Sequence, residues 1–154
     1  MDAETIEIMS PQLRRLFADW DTRRRGREFP ARADFDPVEL KYLLGEMTLL
    51  DVIASGPRSD FRYRVYGSSL VRRFGWELTG KSVDEIPVKQ HAAFARAHCE
   101  DVLARRAPVV RYYSHHFIGQ NVPHDCEILV LPLSRDGAAI DKMLGAFAWN
   151  VTRD

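Results

Sequence analysis

The first apolar residues of the chain recur with the period of an α-helix. Ser10 can cap such a helix, and Pro11 fits its first position, where no N–H is needed. Four apolar side chains stand at i, i+3, i+4 and i+7 and therefore share one side of it: Leu13, Leu16, Phe17 and Trp20. The pattern predicts an amphipathic helix over about residues 10–25, whose apolar stripe must be buried against another surface.

A second, shorter helix is predicted to begin after Asp36, which can cap it. Pro37 pre-sets the first turn, and Glu39 is placed to reach back as in a capping box. Gly45 is expected to end the helix, because glycine accepts the left-handed backbone that closes many helices.

Beyond Gly45 the hydrophobic period becomes that of β-strands. The run from Met47 to Ile53 is largely apolar, which predicts a buried strand, and Ser55–Pro57 has the composition of a turn. Phe61–Tyr66 alternates strictly between an apolar set and a mostly polar set, as expected of a strand with one buried face. Together these segments predict a β-hairpin.

The rest of the chain predicts helices followed by strands. A short helix ends at Gly75, and a longer one runs from Val88 to about Arg106. Three strands are expected after it: Val109–Ile118, Glu127–Leu133 and Met143–Val151.

Strands that follow one another without alternating helices indicate an antiparallel sheet. The predicted fold is therefore α+β, with five antiparallel strands, helices gathered on one face and an amphipathic helix at the N-terminus. No repeat, low-complexity segment or linker divides the chain. We expect one domain over residues 1–154, with the N-terminal helix at about 10–25 and the sheet with its helices at about 36–151.

Composition narrows the classes of function. The chain has 154 residues, and its 22 basic and 22 acidic side chains give a formal net charge of zero, whereas nucleic-acid-binding proteins usually carry a basic excess. No apolar run reaches the roughly 20 residues that cross a bilayer, and Met1–Glu4 does not begin a secretory signal. Cys99 and Cys126 form no CxxC pair, which favours buried thiols in a reducing compartment. We expect a cytoplasmic protein that binds neither nucleic acid nor membrane.

Five segments carry a resemblance to a known family, in this order along the chain: Pro30–Pro37, Leu49–Val52, Phe61–Ser68, Arg73–Gly75 and Leu78–Lys81. None of them is specific alone, but their combination and order are. On these segments the chain resembles one bacterial PAS family, a group of short proteins common in alphaproteobacteria. The resemblance covers roughly residues 10–151.

The resemblance implies a five-stranded antiparallel sheet with helices over one face and a pocket between them. PAS domains of this kind bind small ligands or partner proteins, and they often form dimers through flanking helices. Most are joined to an output domain such as a kinase, for which this chain has no room. We therefore expect a stand-alone sensory or regulatory module that binds a small ligand, a signalling partner such as a histidine kinase, or both.

Aromatic and histidine side chains are the candidates for lining that pocket. Side chains at alternating strand positions share the inner face of the sheet, and others can close the pocket from the helical side. We expect these residues to contact a ligand: Tyr63, Phe74, Trp76, His91, His98, Tyr113, His115, Phe147 and Trp149. The alternative is a filled core, in which the same side chains pack without leaving a cavity.

The apolar stripe of the N-terminal helix suggests a second contact surface. Its members lie outside the minimal PAS sheet, and they either fold back onto that sheet or pair with a second chain. Because PAS dimers commonly use such a helix, we assign four residues to a homodimer interface: Leu13, Leu16, Phe17 and Trp20.

A cofactor sensor is the alternative function. His91 and His98 are seven residues apart on one predicted helix, so they project the same way. In some PAS domains a histidine on this helix binds haem iron, and haem needs both such an axial ligand and an apolar cavity.

Metal binding and catalysis have weaker support. Zinc-compatible side chains lie on two neighbouring predicted strands, although their spacing matches no established zinc pattern: His124, Cys126 and either His115 or His116. The chain has no Gly-x-Ser-x-Gly elbow and no glycine-rich phosphate loop. We therefore predict no enzymatic activity, with a small lyase or hydrolase as the remaining alternative.

Overall fold

The structure of the protein, a computed structural model, describes residues 7–113 and 125–151. Its first helix, α1, spans Pro11–Arg23, close to the predicted bounds. The side-chain oxygen of Ser10 accepts the N–H of Leu13 at 3.4 Å, which confirms the predicted N-cap. The helix ends just before Arg25 and Gly26, whose φ angles are both positive.

The second predicted helix is a 3₁₀ helix over Pro37–Leu43 rather than an α-helix. Asp36 caps it as predicted, because its carboxylate accepts the N–H of Val38 at 2.9 Å. The predicted capping box does not form, since the carboxylate of Glu39 pairs with Arg23 of α1 instead. A side chain that sequence reasoning assigned to a local cap thus ties two elements together.

Five antiparallel strands form one sheet in the order β2-β1-β5-β4-β3, which confirms the predicted α+β fold. β1 and β2 form the predicted hairpin, and β5 lies in the centre of the sheet between β1 and β4. The predicted extension of β3 to Ile118 lies outside the described residues. The strands are Met47–Ser55 (β1), Arg58–Tyr66 (β2), Val109–Tyr113 (β3), Cys126–Leu133 (β4) and Lys142–Trp149 (β5).

Helices α2 (Ser68–Phe74) and α3 (Lys89–Arg105) lie over the inner face of the sheet, with a 3₁₀ turn at Val83–Glu85 between them. Arg96 of α3 holds this layer in place. Its guanidinium forms two hydrogen bonds, of 2.7 and 2.6 Å, to the carboxylate of Asp84. Such a bidentate pair fixes both the position and the orientation of α3.

Strand β4 shows that α1 and α3 lie on opposite faces of the sheet. Cys126 and Ile128 line the space beneath α3, so Glu127, which stands between them along the strand, points the other way. Its two carboxylate oxygens accept the N–H groups of Met9 (2.8 Å) and Ser10 (2.9 Å) at the start of α1. The start of α1 is therefore anchored on the outer face of the sheet.

Most of the α1 stripe, which the sequence assigns to a dimer interface, is buried within the single chain. Leu13 and Leu16 are fully buried within the single chain, and Trp20 is 4% exposed. The indole N–H of Trp20 donates to the carbonyl oxygen of Pro132 at 2.8 Å. Only Phe17, whose ring stacks on Trp20, stays partly exposed. The helix folds back onto its own sheet, and the dimer contact of the stripe stays a prediction.

Strand β2 departs from the strict alternation that its sequence predicts. Tyr63 and Val65 pair with consecutive residues of β1, which leaves Arg64 as an extra residue in a β-bulge. The bulge shifts the phase of the strand, so that Val65 is 48% exposed while Tyr66 is buried. Two tyrosines that strict alternation would put on opposite faces therefore share the inner face.

Candidate ligand-binding site

A cavity of about 90 Å³ lies between the inner face of the sheet and helices α2 and α3. It has room for several water-sized groups, but it is smaller than the cavities of about 150 Å³ that admit benzene. Most of its wall is apolar. Seven of the nine side chains predicted to contact a ligand line it: Tyr63, Phe74, Trp76, His91, His98, Tyr113 and Phe147.

Trp149 supports the cavity from outside and does not line it. Its indole N–H donates to the carboxylate of Glu46 at 2.7 Å, and the guanidinium of Arg73 lies 4.4 Å above its ring. The Trp149 ring packs behind Phe74, with 5.8 Å between ring centroids. The structure thus corrects its predicted ligand contact to a supporting role. The ninth predicted residue, His115, lies outside the described residues.

Phe74 is the centre of an aromatic wall. Its ring stacks on Trp76 at 5.4 Å and meets His91 and Phe147 edge-on at 5.9 and 6.1 Å. Gly75 makes this arrangement possible, because its φ of 84° ends α2 and turns the chain so that Trp76 returns beside Phe74. Ring contacts of this kind hold the wall in a defined shape.

Two tyrosine hydroxyls provide polar groups in this apolar wall. The rings of Tyr63 and Tyr66 meet edge-to-face at 5.2 Å, and the indole N–H of Trp76 donates to the Tyr66 hydroxyl at 3.2 Å. The Tyr63 hydroxyl has no hydrogen-bond partner within the described part of the chain, although the residue is only 7% exposed. Burial raises the pKa of both phenols above the ordinary value, so both stay protonated.

His98 is a buried, neutral histidine. Its Nε2 lies 2.8 Å from the carbonyl oxygen of Val109, and because a carbonyl only accepts, Nε2 must carry the proton. Burial lowers the pKa of His98 to about 4. A nitrogen that donates to the backbone cannot also bind iron, and the cavity is far smaller than a haem. In this conformation the cavity and His98 do not fit the haem hypothesis.

Both cysteines line the cavity as buried free thiols. Cys99 comes from α3 and Cys126 from β4, and burial raises the pKa of each to about 12. Protonated thiols are poor nucleophiles and poor metal ligands. Among the described residues, no three His, Cys, Asp or Glu side chains are grouped to hold a metal ion. Three members of the predicted zinc set lie outside those residues: His115, His116 and His124.

Comparison with known proteins assigns the family. The sequence pattern that defines PAS domains matches residues 8–148, nearly the whole chain. The chain belongs to the PAS domain family. A cavity between the sheet and α2 and α3 is thus found in the PAS domain where the resemblance implied a pocket. Within residues 7–113 and 125–151, this PAS domain has no helix that is long and apolar enough to span a membrane.

Several solved structures are similar to this PAS domain, two of which are the following. The sensory box sensor histidine kinase from Vibrio cholerae matches with a TM-score of 0.52 and 16% identity, over 76% of this chain and 90% of that one. The structure of the RsLOV d2 variant matches with a TM-score of 0.44 and 19% identity, over 97% of this chain and 68% of that one. At 16% identity the first similarity supports the fold alone. No curated protein matches the chain.

Several residues of the cavity wall were not singled out from the sequence. Tyr66 was missed because strict alternation places it on the polar face of the strand. The sequence signals the bulge only through the adjacent apolar pair Val65-Tyr66, which interrupts the alternation. Thr48 was missed because it is a small polar residue in an apolar run. The remaining members come from the packed core: Leu50, Leu78, Ile86, Phe94, Ala95, Cys99, Cys126, Ile128 and Val130.

Proposed function

We propose that this PAS domain is a sensory module that binds a small ligand in the cavity between the sheet and helices α2 and α3. One observation carries the proposal. An aromatic cavity lies between the sheet and the helices, and the hydroxyl of Tyr63 on its wall has no hydrogen-bond partner in the described part of the chain.

A cavity of this kind is unusual in a packed interior. Protein cores are close-packed, with few voids larger than one water molecule. The void of about 90 Å³ persists here although large rings surround it. The Tyr63 hydroxyl adds to this wall a hydrogen-bonding group that no described side chain satisfies. A ligand that fills the void and accepts the hydroxyl proton gains packing contacts and a hydrogen bond.

The elements around the cavity suggest how occupancy changes the protein. Phe74 closes the short helix α2, Trp76 follows it, and both rings contact His91 of α3. A ligand that binds better to one arrangement of these rings shifts the population towards that arrangement. We infer that α2 and its junction with α3 respond to the ligand, while the sheet stays fixed.

The proposal includes an output through another protein and assigns no reaction to the chain. The partner is either a second copy of the chain or a signalling protein such as a histidine kinase, as the resemblance to PAS proteins suggests. Because most of the α1 stripe is buried, that partner must contact a different surface. Leu44 and Val38 are large apolar side chains exposed near the 3₁₀ helix, at 81% and 61%, and they are candidates for such a contact.

Filling the cavity tests the proposed function. Ala95 lines the cavity from α3, and Ala97 is exposed two residues further along the same helix. Ala95→Leu fills the cavity, and Ala97→Leu is the matched control. Native mass spectrometry of the purified proteins, followed by a thermal-shift screen of small fragments, is expected to detect ligands with the original protein and with Ala97→Leu. We expect Ala95→Leu to lose them.

Two results would contradict the proposed function. Either no small molecule binds to the original protein, or the same molecules bind equally well to Ala95→Leu while its circular dichroism spectrum shows an intact fold. The second result would place the binding site outside the cavity.

A further inference from the structure

The charge of the cavity wall restricts the ligand. In the part of the chain that the structure describes, no Asp, Glu, Lys or Arg lines the cavity. His98 is neutral, and its one N–H is already bonded to the carbonyl oxygen of Val109. A cationic ligand would lose its hydration here without meeting an opposite charge, and an anionic ligand would meet at most the imidazole of His91, which is unfavourable. The wall therefore favours an uncharged ligand.

The hydrogen-bonding state of the two tyrosines restricts it further. The Tyr66 oxygen already accepts the indole N–H of Trp76, so the hydroxyl proton of Tyr66 is available to donate to a ligand. The Tyr63 hydroxyl proton has no acceptor among the described residues either. The two rings are neighbours at 5.2 Å. A carbonyl-type oxygen has two lone pairs and can accept both protons.

The volume of the cavity sets the size of the ligand. A cavity of about 150 Å³ admits benzene, which has six carbon atoms. By proportion, about 90 Å³ accepts about four non-hydrogen atoms, and a fifth requires a small movement of the wall. The wall around that volume is formed by aromatic rings and aliphatic side chains, so the rest of the ligand must be apolar.

Resting on the proposed function, we propose that this site recognises small uncharged carbonyl compounds, with the carbonyl oxygen bound by the hydroxyls of Tyr63 and Tyr66. Tyr63 is the main recognition residue, because it has no other hydrogen bond. Tyr66 is oriented for the same task by Trp76.

Three probes of nearly equal shape test this inference. Butan-2-one carries the carbonyl, 2-methylbut-1-ene replaces its oxygen with a methylene group, and propanoate replaces its terminal methyl with a charged oxygen. Ligands of this size bind weakly, so protein-observed NMR titrations must reach concentrations of about 10 mM. We expect the ketone to bind at least about fivefold more tightly than the alkene, because the alkene cannot accept a hydrogen bond. We expect it to bind at least about tenfold more tightly than propanoate, because burying the carboxylate charge costs free energy.

A pair of tyrosine variants assigns the selectivity to one hydroxyl. Tyr63→Phe is expected to weaken ketone binding about fivefold and to leave alkene binding unchanged, since only the hydrogen bond is lost. Tyr42→Phe is the matched control. The Tyr42 hydroxyl is also buried without a partner among the described residues, but the residue lies under Arg15, away from the cavity.

Each other outcome overturns the inference in a distinct way. Tightest binding of propanoate would show that the site prefers anions. Equal affinity for the ketone and the alkene would show that the site selects ligands by shape and not by a hydrogen bond. In both cases ligand binding in the cavity still stands. Unchanged ketone affinity in Tyr63→Phe would exclude Tyr63 as the residue that binds the carbonyl oxygen. If no probe shifts any cavity resonance and nothing co-purifies with the protein, the inference fails together with the proposed function.

Discussion

The two faces of the sheet are covered by different means. On the outer face, α1 lays Leu13, Leu16 and Trp20 against the strands, and the buried carboxylate of Glu127 holds the start of the helix. On the inner face, α2 and α3 cover a cavity, and aromatic rings replace the aliphatic packing. The outer face is filled where α1 covers it, and the inner face keeps an open volume under α2 and α3.

The difference indicates how stability and binding are divided within a small fold. Close packing under α1 on the outer face supplies favourable burial, whereas the open volume on the inner face forgoes packing contacts and costs free energy. A domain of 154 residues can tolerate that cost only if the other face compensates for it. The filled face therefore makes the unfilled face possible.

The largest expected effect comes from one truncation on each face. Leu131 is fully buried on the outer face, and Leu50 lines the cavity on the inner face. We expect Leu131→Ala to lower the free energy of unfolding by about 3–4 kcal/mol, within the range for buried leucines. Leu50→Ala should cost less, about 2 kcal/mol, because part of its surface already faces a void and makes no contacts to lose.

Urea denaturation of both variants measures this difference. The change in midpoint must be read with an unchanged m-value, so that it reports on stability alone. Equal losses for the two leucines would mean that the inner face is as well packed as the outer one, and the comparison between the faces would fail.

Acid is expected to destabilise the inner face through His98. Its pKa is about 4 in the folded protein and about 6.5 when unfolded, so the unfolded chain takes up the proton first. The stability present above pH 6.5 is therefore lost as the pH falls towards 4, and the loss totals about 3 kcal/mol. The measurement is urea denaturation at several pH values between 7 and 4.5.

His98→Gln separates this contribution from that of the carboxylates. Glutamine keeps an N–H donor for the Val109 carbonyl but does not titrate. We expect the variant to lose less stability than the original protein over the same pH range. Parallel losses in the two proteins would show that His98 is not the titrating group.

A smaller effect is expected from the anchor of α1. In Glu127→Gln, one of the two oxygens becomes an amide nitrogen that cannot accept a hydrogen bond, so the N–H of Met9 or Ser10 loses its partner. We expect a loss of about 1–2 kcal/mol. The substitution should increase the rate of amide hydrogen exchange more in α1 than in α3. Glu7→Gln is the control, because Glu7 is exposed in the same segment, and faster exchange in that variant would contradict the role of Glu127.

Local signals made most of the fold predictable. Ser10 and Pro11 mark the start of α1, Gly75 marks the end of α2, and the hydrophobic periods separate helices from strands. These features depend on residues that are close together along the chain, so the sequence is sufficient to predict them. The apolar stripe of α1 shows in the same way that the helix must be buried.

Long-range placement could not be predicted in the same way. Nothing near Leu13 or Trp20 in the sequence tells whether the stripe meets its own sheet or a second chain, and the structure shows the former. Trp149 has the same strand phase as Phe147, yet the positions of Glu46 and Arg73 keep it behind the wall. Both outcomes depend on residues that are distant along the chain.

The bulge at Arg64 has an evolutionary consequence. With the extra residue, Tyr66 faces the cavity, and Val65 is exposed on the opposite side of the strand. Loss of the codon for Arg64 would restore the regular pleat and would still leave Tyr66 opposite Thr48, facing the cavity. A lineage of such proteins can therefore lose the bulge by a change in strand length and keep its hydrogen-bonding wall, without replacing any amino acid.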